Sequence, residues 1–135
     1  MAYWLLKTEP STYGFDQLQK DKRTVWDGVR NPVALRHLRE ISKGDQVLIY
    51  HTGGERQAVG IANAVSDAYP DPGHKNPKLA VVDLAPVKPL PRPVTLAEVK
   101  QHPRLKRHEL ARLPRLSVMR LSDEEWQLFL GLAGL

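Results

Sequence analysis

The sequence predicts an α+β domain: a small, mixed or antiparallel β-barrel flanked by short helices. Three observations carry this reading. Several short segments rich in β-formers are closely spaced, and two of them, Gln46–His51 and Gln57–Val65, are joined by the turn-forming pair Gly53-Gly54. A tight turn of that kind favours antiparallel pairing over a parallel doubly wound sheet. Helix signals with clear caps stand between and after the strands instead of alternating with them one by one.

The elements follow in order. Ala2–Thr8 reads as a strand, with Tyr3, Leu5 and Lys7 on one face and Trp4 and Leu6 on the other, and Glu9-Pro10-Ser11 ends it. Phe15 and Leu18 share a side of a short helix around Phe15–Gln19. Asn31 is a helix cap, Pro32 suits the first turn, Leu35, Leu38 and Ile41 repeat at helical spacing, and Lys43-Gly44-Asp45 stops the helix. In the strand Gln57–Val65, Ala58, Gly60, Ala62 and Ala64 form a small-residue face that suits a crowded barrel interior or a close packing contact. Leu79–Val87 and Arg115–Leu121 read as further strands, Tyr69–Pro77 and Pro86–Pro93 as loops. Thr95 with Glu98 and Ser122 with Glu125 have capping-box spacing, the first opening a short helix to Gln101, the second a C-terminal helix lined by Trp126, Phe129 and Leu130.

At 135 residues the chain is one domain in length. With 41% hydrophobic and 26% charged residues it has the balance of a folded globular protein, and 11 prolines and 9 glycines point to loops, not disorder. The absence of cysteine excludes a disulfide framework and a thiolate metal site, and fits a reducing compartment. The apolar run Tyr3–Leu6 is short for a signal peptide, and no run approaches the ~20 residues that span a bilayer. A cytoplasmic location, nucleoid-associated or not, is the expectation, with no membrane partner.

The net charge of +5 favours polyanions. From Lys100 to Arg120 seven basic residues face one acid, Glu109, and Lys100, Arg104, Lys106, Arg107, Arg112 and Arg115 are the candidate phosphate contacts. A solvated basic loop explains the same segment equally well.

The chemistry of catalysis leaves little trace. The five histidines form no metal-ligand spacing, Ser117 lies outside a nucleophile elbow, and no phosphate-cradling glycine loop is present. Glu124 and Glu125 are explained by helix capping. Neither a metal nor a cofactor is expected. What remains is binding. Trp26 lies in the polar, glycine-bearing segment Trp26-Asp27-Gly28-Val29-Arg30-Asn31, off any amphipathic face. It reads equally as a stacking wall for a nucleobase and as a plug at one end of the core. Arg30 and Asn31 can donate to base edges or phosphate, although Asn31 also reads as a cap. Lys7 suits a phosphate contact or a solvated edge, and for His51 a structural hydrogen bond is the simpler role. Tyr50 and Tyr69 stay ambiguous; Trp4 and Trp126 belong to the core.

The string Tyr3-Trp4-Leu5-Leu6-Lys7-Thr8-Glu9-Pro10, with Trp26 to Asn31, Lys43-Gly44-Asp45, Tyr50-His51, Val59-Gly60-Ile61-Ala62, Ala68-Tyr69-Pro70-Asp71-Pro72 and Arg115-Leu116-Ser117-Val118, resembles the EVE domain family. The ordered set covers almost the whole chain and is highly specific. The resemblance implies a PUA-like fold and a reader of modified bases in DNA, with modified cytosine foremost. It also implies a base pocket lined by Lys7, Trp26, Gly28, Arg30, Asn31, His51, Leu116 and Ser117. Gly14, Pro32, Thr52 and Pro114 depart from the residues common in the family, and Gly14 and Thr52 change polar contacts. The function expected is a non-catalytic module that recognises a modified nucleobase, acting with or without a separate effector protein. The alternatives are an RNA-binding PUA-like module without such preference and a nucleotide or nucleobase hydrolase of the ASCH type.

Overall fold

A computed structural model describes residues 1–135. The strands are β1 (Tyr3–Thr8), β2 (Thr24–Trp26), β3 (Gln46–His51), β4 (Gln57–Ala64), β5 (Tyr69–Pro70), β6 (Ala80–Thr95) and β7 (Val118–Leu121). The helices are α1 (Phe15–Asp21), α2 (Pro32–Arg39), α3 (Leu96–Gln101), α4 (Glu109–Arg112) and α5 (Asp123–Leu132). The sheet runs in the order β2-β6-β4-β3-β1-β7, with β5 added to β6. All pairings are antiparallel except β1 with β3. The sheet is therefore mixed, and it curls into a half-barrel whose terminal strands, β2 and β7, do not pair with each other.

Several sequence expectations need correcting. Tyr69 and Pro70, read as the start of a loop, form β5 against Val81 and Ala80, and the helix expected to continue to the Lys43-Gly44-Asp45 stop ends at Arg39. The proline-rich segment Pro86–Pro93 is not a loop but the second half of β6. Proline is tolerated there for two reasons. β2 covers β6 only from Val82 to Leu84, so beyond Leu84 one side of β6 is an edge that needs no N–H donor. On the other side the β4–β6 register shifts between Ala58 and Gly60 and between Ile61 and Ala62, and Pro86 and Pro89 sit opposite Ala62 and Gly60 beside those shifts. The last strand begins at Val118, not Arg115, because Leu116 N–H closes a turn on the Leu113 carbonyl. Nothing in the sequence pattern announced the short elements β2, β5 and α4.

The helix signals behave as their chemistry dictates. Asn31 Oδ1 accepts from Val33 and Ala34 N–H at 2.9 and 3.1 Å, and both capping boxes, Thr95 with Glu98 and Ser122 with Glu125, are formed. One core runs through the molecule, with Trp4, Phe129, Leu5, Leu6 and Leu48 among its fully buried side chains. Trp4 and Trp126 both belong to it, and Tyr3 stacks on Trp126 with ring centroids 4.6 Å apart. The small-residue face of β4 has a definite use: a Cβ on Gly60 would lie inside the van der Waals surface of the Phe15 ring, so glycine there lets α1 close onto the sheet.

Candidate nucleic-acid interface

The failure of the half-barrel to close creates a site. A cavity of about 610 Å³ lies between the β2 edge and the end of β1, where β7 approaches. That volume is in the ~300–1,000 Å³ range of small-ligand pockets. Lys7, Thr8 and Glu9 contribute from β1, Thr12 and Tyr13 from the turn that follows, Thr24 to Arg30 from β2 and its extension, and Ser117 from the approach to β7.

β2 lies on β6 with Trp26 opposite Val82, which carries the indole to the inner wall. The ring is 7% exposed, so it serves the core and the cavity at once. Tyr13 stands perpendicular to it, with centroids 6.2 Å apart and planes at 89°. The Tyr13 hydroxyl donates to Asp21 at 2.8 Å, and burial, helped by the hydrogen bond and charge of Asp21 and opposed by the nearby Thr24, holds that phenol above the ordinary tyrosine range.

After Trp26 the chain leaves the ladder. Gly28 has φ of +79°, a left-handed conformation suited to glycine. From Asp27 through Arg30 no backbone N–H or C=O is hydrogen-bonded within the protein, and Asp27, Gly28 and Arg30 are exposed while Val29 is buried, so the segment leaves unpaired donors and acceptors along one wall. The segment ends where Asn31 caps α2.

Lys7 is half-buried at the opposite wall. Its ammonium donates to the Pro114 carbonyl at 3.3 Å and lies 5.6 Å from the Tyr50 ring centroid, with no carboxylate in ion-pair range. Burial holds its pKa below the ordinary lysine value. Ser117 accepts from Lys7 N–H through its carbonyl at 2.9 Å, and its hydroxyl makes no bond within the protein. Glu9 is engaged, accepting from the Ser11 N–H and hydroxyl and from the Thr52 hydroxyl.

Of the pocket residues expected from sequence, Lys7, Trp26, Gly28, Arg30 and Ser117 line this cavity. Three stand elsewhere. His51 is buried, accepting from Phe15 N–H at 3.0 Å through Nε2, so Nδ1 carries the proton and donates to Glu55 at 2.9 Å; the ring supports the start of α1. Asn31 and Leu116 line a neighbouring depression of about 350 Å³ with Arg115. Among the expected phosphate contacts, Arg104 pairs with Glu124 at 3.0 Å and Arg112 donates to the Arg107 carbonyl at 2.6 Å. Lys100, Lys106 and Arg107 are exposed on the surface. Tyr13 was missed, although a tyrosine in the polar stretch Pro10 to Gly14 meets the same criterion that singled out Trp26: an aromatic off any amphipathic face.

A curled mixed sheet with helices outside it and an open cavity between its free edges defines a PUA-like domain. The EVE domain family matches residues 2–132, and the chain belongs to that family. Thymocyte nuclear protein 1 of Rattus norvegicus is 33% identical to it, the alignment covering 96% of this chain and 73% of that protein. A Rhodopseudomonas palustris protein solved by NMR superposes with a TM-score of 0.94 at 41% identity, covering 99% of this chain and 94% of that one. The human THYN1 protein in complex with 5-methylcytosine-containing DNA superposes with a TM-score of 0.90 at 30% identity, covering 100% and 99%.

Proposed function

We propose that this chain is a non-catalytic reader that takes one modified nucleobase, with modified cytosine in DNA as the ligand class, into the cavity between β2 and the β1–β7 edge. A base held outside its stack needs a flat apolar surface and hydrogen bonds to its edge from groups fixed in place. The observation that carries the reading is the combination in one cavity of the Trp26–Tyr13 rings with the unpaired backbone of Asp27–Arg30. The Ser117 hydroxyl and Lys7 ammonium add a neutral and a charged donor on the other side. Binding without chemistry fits the Glu9 carboxylate, which is occupied in holding the turn together. The likeness to a DNA-bound relative over its whole length supports the ligand class.

The test is a fluorescence-anisotropy titration of matched oligonucleotides with cytosine or 5-methylcytosine at one position, in DNA and in RNA. The modified DNA should bind more tightly, and Trp26→Ala should remove about 5- to 100-fold in its affinity, the span of one stacking contact. Because that substitution also empties part of the core, at a cost of ~3–5 kcal/mol, Trp26→Phe serves beside it: it keeps the core filled and should weaken binding less. Equal affinity for modified and plain DNA, or unchanged preference in Trp26→Ala, defeats the proposal. Tighter binding of RNA regardless of modification would replace it with the RNA-binding alternative.

A further inference from the structure

The nucleic-acid backbone has to leave the cavity somewhere, and Arg30 leads out of it on the β2 side. A second groove, of about 580 Å³, begins at Arg30, which lines both it and the base cavity. Its floor is the face of α2 that carries Pro32, Leu35 and Arg39, positions three and four residues apart along the helix. Its wall is the segment 76–79, which brings Lys78. Three cations line it and no carboxylate does.

The wall is fixed from both sides. Arg39 Nη1 donates to the Lys78 carbonyl at 2.6 Å, and Lys78 N–H donates to Asn76 Oδ1 at 3.0 Å. The Lys78 ammonium itself has no partner within the protein, and the Arg39 guanidinium keeps further N–H groups to offer. Arg30 is exposed and only loosely joined to His74 at 3.5 Å. These cations differ from Arg104, which is neutralised by Glu124.

We propose that the groove between α2 and segment 76–79 holds the phosphodiester backbone flanking the bound base, with Arg30, Arg39 and Lys78 as its phosphate contacts. This rests on the base-reading function above and adds the route the strand takes across the protein. Arg30 joins the two sites, because a strand whose base occupies the cavity reaches the groove by crossing that one residue. Phosphate contacts position a strand without reading its sequence, so they act equally on modified and plain oligonucleotides.

The experiment is a salt series on short duplexes with and without one 5-methylcytosine, using the full chain with Lys78→Gln, Arg39→Gln and, for comparison, Lys100→Gln. Lys78→Gln removes only an exposed ammonium, so the fold should not respond. It should weaken both duplexes by the same factor, roughly 3- to 10-fold as for one exposed charge-assisted contact. The slope of log affinity against log salt should become shallower by about 0.9. The ratio between the two duplexes should stay as in the unsubstituted protein, and Lys100→Gln should change neither quantity. An unaltered salt slope in Lys78→Gln overturns the proposal while leaving the base-reading function standing. So does an equal effect from Lys100→Gln, or displacement of the duplex by polyglutamate at lower charge concentration than by plain DNA, which would assign the groove to an acidic protein. Failure of the unsubstituted chain to bind any duplex overturns both.

Discussion

The rings of Tyr13 and Trp26 stand perpendicular, 6.2 Å apart, although they come from a turn and from an edge strand. Tyr13 is held at its far end by Asp21 and at its backbone by the Glu9 carbonyl, at 2.8 and 2.9 Å. The Thr8 hydroxyl also donates to the Tyr13 carbonyl at 2.6 Å, so the almost wholly buried indole packs against a neighbour that is itself tethered three times.

That arrangement makes the two rings energetically coupled. A double-mutant cycle with Tyr13→Leu, Trp26→Leu and the double variant, read by urea unfolding, should give an interaction energy of about 0.5–1.5 kcal/mol. In binding, Tyr13→Leu should erode the preference for the modified base, while Tyr13→Phe, which keeps the ring, should retain most of it. Strictly additive stabilities would mean that the indole is positioned by the core alone.

Gly28 gives the unpaired strip its course. No atom lies within 4 Å of a Cβ placed there, so the cost of Gly28→Ala comes from the backbone at φ of +79° and not from a clash. We expect a loss of stability of about 1–2 kcal/mol, together with a larger loss in affinity than so exposed a position ordinarily causes, since the neighbouring amides are re-aimed. Equal affinity in Gly28→Ala would show that residues 27–30 do not touch the ligand.

Much of this was legible in the sequence because it is local. Caps at Asn31, Thr95 and Ser122 depend on one side chain and the amides just after it, and each formed as its spacing demands. The proline-rich half of β6 was not legible, because whether a proline can sit in a strand depends on which neighbour its missing donor would have faced. That is settled by β2 stopping opposite Leu84. The site divides the same way. Trp26 and Gly28 announce themselves by residue type in an odd context. For His51 the reading from its own residue type, a structural hydrogen bond, is what forms, to Phe15 36 residues away, whereas the family resemblance sets it among the pocket residues. Tyr13 lines the cavity through a turn whose closure onto Glu9 and Thr8 no local sequence pattern announces.

Trp4, the other tryptophan of the N-terminal half, helps to hold a buried carboxylate. The Trp4 indole N–H donates to Asp45 at 2.9 Å, and Ala2 and Ser42 N–H both donate to the same carboxylate at 3.0 Å. Burial pushes the Asp45 pKa up, but these bonds and the N-terminal ammonium outweigh it, so the folded value lies below the ordinary 3.8. A carboxylate depressed in this way stabilises the fold above about pH 3.8, and that contribution disappears as pH falls from there through the folded pKa. Asp45→Asn should therefore cost roughly 1–3 kcal/mol at neutral pH and flatten the decline of stability in that acid window. Asp45 does not line the base cavity, so oligonucleotide affinity should be unchanged. An acid limb as steep as in the unsubstituted protein would place the titrating group elsewhere.

Lys7 makes the opposite trade. Its ammonium is half-buried without a carboxylate, and burial lowers its pKa from 10.5, so the fold disfavours the charged form. The penalty is present below the folded pKa and fades as pH rises from there towards 10.5. The bond to the Pro114 carbonyl and the Tyr50 ring offset only part of it. Lys7→Met should accordingly raise stability at neutral pH, by no more than about 1 kcal/mol given the solvent that still reaches the group. The same substitution should weaken oligonucleotide binding and remove the loss of affinity expected of the unsubstituted protein as the amine deprotonates at alkaline pH. Thermal melts at neutral pH and anisotropy titrations towards pH 10 measure both. A less stable Lys7→Met would mean that the two contacts outweigh burial, and an unchanged affinity would remove the amine from the ligand's surroundings.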